Sequence, residues 1–252
     1  MSDELVVLES PDALAAEVAE RLVVLLSSRQ DLGEVPSVVL TGGTIAARIH
    51  AAVLTVRGVE LVDWSLVDVW FGDERFLPAG AGERNETQAR DALLDSVALD
   101  PARVHAMPAD PDPTGAAQGP DVVARAQVAA EQHAAEVKSA AADGFDLVML
   151  GLGPDGHVAS LFPGHESLNV DEARVVAEPD SPKPPPVRLS MTMPALRTAR
   201  EVWFVVSGAD KADAVRRARA GADVTTTPGA GVRGMDATRW FVDTAAASSL
   251  DA

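Results

Sequence analysis

The arrangement in this sequence best suited to acid–base chemistry is a histidine two residues beyond an aspartate, in Asp155-Gly156-His157. An imidazole titrates near neutral pH, so it can take a proton from water and return it to a departing oxygen, while a nearby carboxylate fixes its tautomer. The competing reading is a histidine beside a capping aspartate at a helix start. A second cluster, Asp73-Glu74-Arg75, follows the apolar run SLVDVWF and is either a salt-bridged loop or a ligand site holding an acid and an anion-binding guanidinium. A third segment, Thr41-Gly42-Gly43-Thr44, joins a short apolar run to a helical one. Its glycines would let the first N–H groups of that helix approach an anion; the alternative is a tight turn capped by Thr44. His50, His105, His133 and His165 lack such a context, and His50 and His133 read as solvated helix residues.

Several other chemistries lose on the same residues. Gly151, Gly153 and Gly156 satisfy G-x-G-x-x-G, but Pro163 and Gly164 arrive too soon for the helix that must hold a dinucleotide's pyrophosphate. The TGGT segment lacks the Lys-Ser/Thr of a nucleotide P-loop, and no G-x-S-x-G elbow is present. No His/Asp/Glu spacing matches a metal site, so no metal is expected. The absence of cysteine removes thiol catalysis, Cys-ligated zinc and a disulfide framework.

The elements that must position these residues alternate between short apolar runs and Ala-rich amphipathic stretches, the pattern of βαβ units around a largely parallel sheet. Strands are expected over residues 5–8, 38–40, 66–71, 146–150 and 202–206, with another near Val175. Helices are expected over 12–28, 45–54, 85–94, 122–142 and 211–220. We read the 252 residues as one αβα domain with room for a small lobe, and 108–121, rich in proline and aspartate, as a surface loop or linker. TGGT, GDER and GLGPDGH each follow a strand, and ligands of open α/β sheets bind beyond the carboxyl ends of the strands, so all three point to one crevice.

Charge narrows the ligand. With 21 Lys+Arg against 38 Asp+Glu, a net −17, the chain would repel a nucleic acid at long range, yet a small anion is still permitted. Only Lys138, Lys183 and Lys211 are lysines, and the last two fall in motifs quoted below. The N-terminal MSDELVVLESPD is acidic where a signal peptide is basic, and no apolar stretch approaches ~18 residues. A cytoplasmic protein without membrane contact is expected.

Together, FDLVMLGLGPDGHVASLFPGH (145–165), WFGDER followed by LP (70–78), NETQARDALL (85–94), KPPPVRLSMTMPAL (183–196) and VWFVVSGADKADAV (202–215) resemble the 6-phosphogluconolactonase family. The resemblance implies a three-layer αβα sandwich of modified Rossmann-like form. It also implies cofactor-free hydrolysis of a sugar-phosphate lactone, 6-phosphoglucono-δ-lactone, by a monomer or homodimer. Carried over by position, His157 is the general base, Asp155 orients it or the sugar hydroxyls, and Asp73 lies in the same site. Gly42, Gly43 and Thr44 would hold the phosphate with Arg75, Arg188 and Lys211. The loop reads TGGTIA where the family often has SGGSTP, and RNET stands in place of SNYR, so no contact is carried onto RNET. A related deaminase or isomerase would have a Glu five residues beyond the histidine, where this chain has Phe162. A non-catalytic sugar-phosphate sensor would carry a basic helix-turn-helix ahead of the sensor, where this chain has an acidic first βα unit.

Overall fold

The computed structural model describes residues 2–112 and 119–250. The chain opens with β1 (Ser2–Leu8) and α1 (Pro11–Asp31), a helix started by Pro11 and by Ser10, whose hydroxyl accepts from the Ala13 N–H. Next come β2 (Ser37–Leu40), α2 (Thr44–Val53), β3 (Asp68–Phe71), β4 (Asp73–Arg75), α3 (Asn85–Ala92) and β5 (Val104–His105). The second half holds α4 (Pro120–Ala140), β6 (Leu147–Leu150), β7 (Val175–Glu178), β8 (Arg188–Met191), the one-turn α5 (Met193–Leu196), β9 (Glu201–Val206), α6 (Ala212–Arg219) and β10 (Ala237–Asp243).

The main sheet runs β1-β10-β9-β6-β2-β3-β5, with parallel pairing throughout. Side chains alternate between its faces. Val38 and Leu40 pack with Leu14, Leu22, Ile49 and Ala89 of α1, α2 and α3, while Val39 packs on the opposite side with Ala126 and Ala130 of α4 and Val215 of α6. The result is the expected three-layer αβα sandwich. Burial on both faces explains why the strands read as continuous apolar runs rather than alternating ones. From β2 the chain proceeds to β3 and β5 on one side, then returns to β6 on the other, which makes β2/β6 the topological switch point.

A second, antiparallel sheet, β4-β8-β7, lies on the α4 side, where Val175, Leu189 and Met191 join the same core as Ala126 and Ala130. The strand expected near Val175 therefore belongs to this small sheet and not to the main one. β10, absent from the expected elements, fills the main sheet between β1 and β9 and places Trp240 flat against Phe204, 3.8 Å between ring centroids.

His50 and His133, read as solvated, are buried at 2% and 1% exposure. Each sits on the inward stripe of its helix, with Ala46, Ile49 and Val53 around His50 and Ala126, Ala129, Ala130 and Val137 around His133. Burial lowers the His50 pKa to about 4 and lowers that of His133, so both are core imidazoles. In the segment 108–121, Asp110 is buried and bidentate to Arg125 (2.7 and 2.9 Å), and Pro120 and Asp121 already belong to α4. Residues 113–118 of that expected loop lie outside the described residues.

Candidate active site

Loops leaving β2, β3, β6 and β9 surround a cleft of about 550 Å³ at the carboxyl ends of the main strands. At the switch point the first and third loops are joined directly, since the Gly151 N–H donates to Thr41 Oγ1 (3.3 Å). Gly43, at φ +96°, forms the N-cap of α2 with no side-chain acceptor over the helix start. The first N–H groups of α2 thus border the cleft, where an anion would satisfy them. Thr44 is the first helical residue and not the cap.

The turn after β6 closes on itself through Gly153 N–H to the His157 carbonyl and Gly156 N–H to the Gly153 carbonyl, both 2.9 Å. It sets His157 Nδ1 2.5 Å from Asp155 Oδ1, which also accepts the His157 backbone N–H at 3.2 Å. No long helix follows the glycines; the chain turns, with Ala159 at φ +49°, toward a bridge between Val158 and Leu161. Burial disfavours the charged form of Asp155, but the hydrogen bond and positive charge of the His157 ring outweigh it and hold the carboxyl at about 2. An anionic Asp155 accepts a hydrogen bond from Nδ1–H, which leaves Nε2 as the basic nitrogen of an imidazole that lines the cleft.

A depressed carboxyl stabilises the fold above the ordinary aspartate range and loses that contribution as pH falls toward about 2. Asp155 is therefore expected to stay ionised through the whole acid limb of the pH–rate profile, which would show one ionisation. A second ionisation in that limb, abolished by Asp155→Asn, would refute this.

The GDER cluster is divided by strand alternation. Asp73 and Arg75, two apart on β4, face the cleft, while Glu74 points the other way and is fully buried. Glu74 accepts the N–H groups of Asn85 (2.7 Å) and Glu86 (2.9 Å), the first two of α3, and lies 3.8 Å from the buried Arg84. Burial raises its pKa against these partners. Asp73 accepts from Ser160 Oγ (2.6 Å) and Asn85 Nδ2 (3.1 Å), and Asn85 Oδ1 accepts from the Arg75 guanidinium. In the antiparallel pairing Arg75 stands directly opposite Arg188. Two like charges across a ladder repel, and an anion between them would relieve it. Arg188 is itself pinned by Nε to the Pro185 carbonyl (3.1 Å) and Nη2 to the Lys183 carbonyl (3.1 Å). Lys211 enters just before α6, its Nζ 2.8 Å from Asp210.

Among the described residues five cations line the cleft, Arg48, Arg75, Lys183, Arg188 and Lys211, against one carboxylate, Asp73. Among the described residues no group of three or more His, Asp or Glu is placed to hold a metal ion. Residues 9–240 match the family of glucosamine-6-phosphate isomerases/6-phosphogluconolactonase. The chain belongs to this isomerase/lactonase family. It is 47% identical over 252 residues to the 6-phosphogluconolactonase of Streptomyces coelicolor, covering 99% of this chain and 96% of that one. It is 38% identical over 250 residues to that of Mycobacterium tuberculosis, covering 99% of each. In fold it is similar to the solved structure of 6-phosphogluconolactonase from Trypanosoma cruzi, with TM-score 0.84 and 23% identity over 100% of this chain and 99% of that one.

In this member of the isomerase/lactonase family, Gly42, Gly43, Thr44, Asp73, Arg75, His157, Arg188 and Lys211 all border one cleft, and Asp155 stands behind His157. Asn85, Lys183 and Arg48 border the cleft without having been singled out for the site, and the buried Ser160 supports Asp73 from behind. Asn85 follows Arg84 at the start of an amphipathic helix and carried the mildest of signals, an amide at a helix beginning. Gly42 is needed beside it, because a Cβ there would overlap Asn85 Oδ1. The position five beyond His157 is Phe162, buried, with its ring centroid 4.7 Å from the imidazole, so an apolar ring stands where a ring-opening enzyme would need a carboxylate.

Proposed function

We propose that this chain hydrolyses 6-phosphoglucono-δ-lactone to 6-phosphogluconate, with His157 as the base and no cofactor. The observation that carries the mechanism is the 2.5 Å Asp155–His157 pair opening onto a cleft with five cations. Nε2 of His157 takes a proton from water as its oxygen attacks the lactone carbonyl. The tetrahedral intermediate then collapses, the bond to the ring oxygen breaks, and the imidazolium returns the proton to that oxygen. An activated ester needs only a placed water, a base and donors for the developing oxyanion, so the reaction balances without a redox partner or group carrier. The cations flanking Asp73 supply positive potential.

The α2 N-terminus, Arg188 and Lys211 hold the phosphate in this reading. Because the molecule as a whole is at −17, they act at short range, and the surrounding negative field favours departure of a product that has gained a carboxylate. No helix among the described residues is long and apolar enough to cross a membrane. The reading carries with it a cytoplasmic monomer or homodimer that binds no nucleic acid.

The decisive assay follows freshly generated lactone, corrected for its spontaneous hydrolysis. Catalysed opening is expected, and release of ammonia from glucosamine 6-phosphate without lactone hydrolysis would overturn the reading. Lys211→Ala is expected to raise KM about tenfold, the size of one lost hydrogen bond to a charged group, with kcat little changed. An unaltered KM would remove Lys211 from the phosphate site.

A further inference from the structure

The turn that carries His157 is held from outside by the segment of chain that follows α6. The Gly229 N–H donates to the Gly156 carbonyl at 2.9 Å. Gly156, at φ +97°, lies so close to Thr227 that a Cβ would come within 2.9 Å of its methyl. A single guanidinium, Arg217 on α6, ties these parts together. Its Nη2 donates to the Pro154 carbonyl (3.3 Å), and its Nη1 donates to the Thr226 carbonyl (3.3 Å) and to the fully buried Thr227 hydroxyl. Its Nε pairs with Asp213 at 2.8 Å.

We infer that Arg217 is a positioning residue for the Asp155–His157 pair. Pro154 immediately precedes Asp155, so a donor fixed on its carbonyl restrains the outer limb of the turn from which the Asp155 carboxylate reaches Nδ1. The guanidinium fork suits this task because it makes several planar bonds to separate acceptors at once, which an ammonium cannot. The placement of α6 adds a second consequence. Lys211 directly precedes the helix and lines the cleft, whereas Arg217 lies on the same short helix and grips the catalytic turn. One rigid element thereby links an anion contact to the base.

The inference rests on the lactonase reading, and the sequence supplies a matched control. Arg216 also pairs with Asp213, at 2.6 Å, but contacts neither Pro154 nor Thr227. Arg217→Ala and Arg217→Lys are each expected to lower kcat about tenfold, since small displacements of a catalytic group are costly, with KM unchanged. Arg216→Ala is expected to keep wild-type kcat although it loses an ion pair to the same aspartate. Millimolar guanidinium ion, below any denaturing concentration, is expected to restore part of the kcat of Arg217→Ala and to leave Arg216→Ala unaffected. Equal kcat in Arg217→Ala and Arg216→Ala, or a loss in Arg217→Ala that tracks only the fraction unfolded by circular dichroism, would overturn the inference. Absence of hydrolysis by the wild-type protein in the same assay would instead refute the lactonase reading.

Discussion

His157→Ala is expected to lower the catalysed rate of lactone opening by about a hundredfold or more, the usual contribution of a general base. The size of the effect follows from how little else in the cleft can take a proton. Asp73 lines it, but both its carboxylate oxygens already accept hydrogen bonds, from Ser160 and Asn85. Asp155 is held at about 2, so it is far too weak a base near neutrality. The other histidines do not substitute, because among the described residues His157 is the one histidine that lines the cleft. Some stability is expected to go with the ring, because it is what depresses the Asp155 carboxyl, but the loss is limited by the partial exposure of that carboxylate and the fold is expected to remain intact. Steady-state kinetics and a thermal melt on the same preparation check both halves; wild-type turnover would take His157 out of the mechanism.

Gly153→Ala is expected to cost about as much, near a hundredfold in kcat, by misplacing the same ring rather than deleting it. A Cβ at this position would overlap Nδ1 and Cε1 of His157 and Oδ1 of Asp155 together. The backbone there is not in the left-handed region, so alanine meets no conformational penalty and even narrows the unfolded ensemble. The damage is therefore one of space. The cheapest relief is rotation of the imidazole away from Asp155, which breaks the pair and leaves its tautomer unfixed. A melting temperature within a few degrees of wild type, on the order of the usual Gly-to-Ala effect, with a collapsed kcat is the expected signature. Retained kcat would mean that the Asp155–His157 contact is dispensable.

The parts of this site that were legible in the sequence are those whose chemistry is local. Asp155 and His157 are two residues apart and meet within one turn; TGGT and GDER sit where strands end, and the apolar runs before them located those ends. The fold class followed because a two-faced parallel sheet writes itself as continuous apolar runs. What stayed hidden depends on pairing between distant segments. β4 is only three residues long and wholly charged, and β8 alternates polar and apolar side chains, so neither carries the continuous apolar run that marks the strands of the main sheet. Yet their register is what brings Arg75 opposite Arg188 and sends Glu74 beneath α3. Asn85 was illegible for the same reason, since its partners Asp73 and Arg75 approach it only through tertiary packing. His50 and His133 were misread although the signal existed: both stand at helical spacing from buried alanines and valines, a stripe that outranks the polarity of one ring.

The outermost strand of the main sheet carries a cost in time. Among the described residues β1 is paired with β10 alone, Ser2 against Ala237 through Leu8 against Asp243. On a ribosome the first of these strands emerges long before its only ladder partner exists, and Leu5 and Val7 are apolar groups that even the finished fold leaves partly exposed. Until β10 arrives, β1 is a bare template for strands of other chains. Completion of the sheet is consequently a post-synthetic event of high contact order, and nascent chains halted before Ala237 are the species this architecture leaves most open to aggregation.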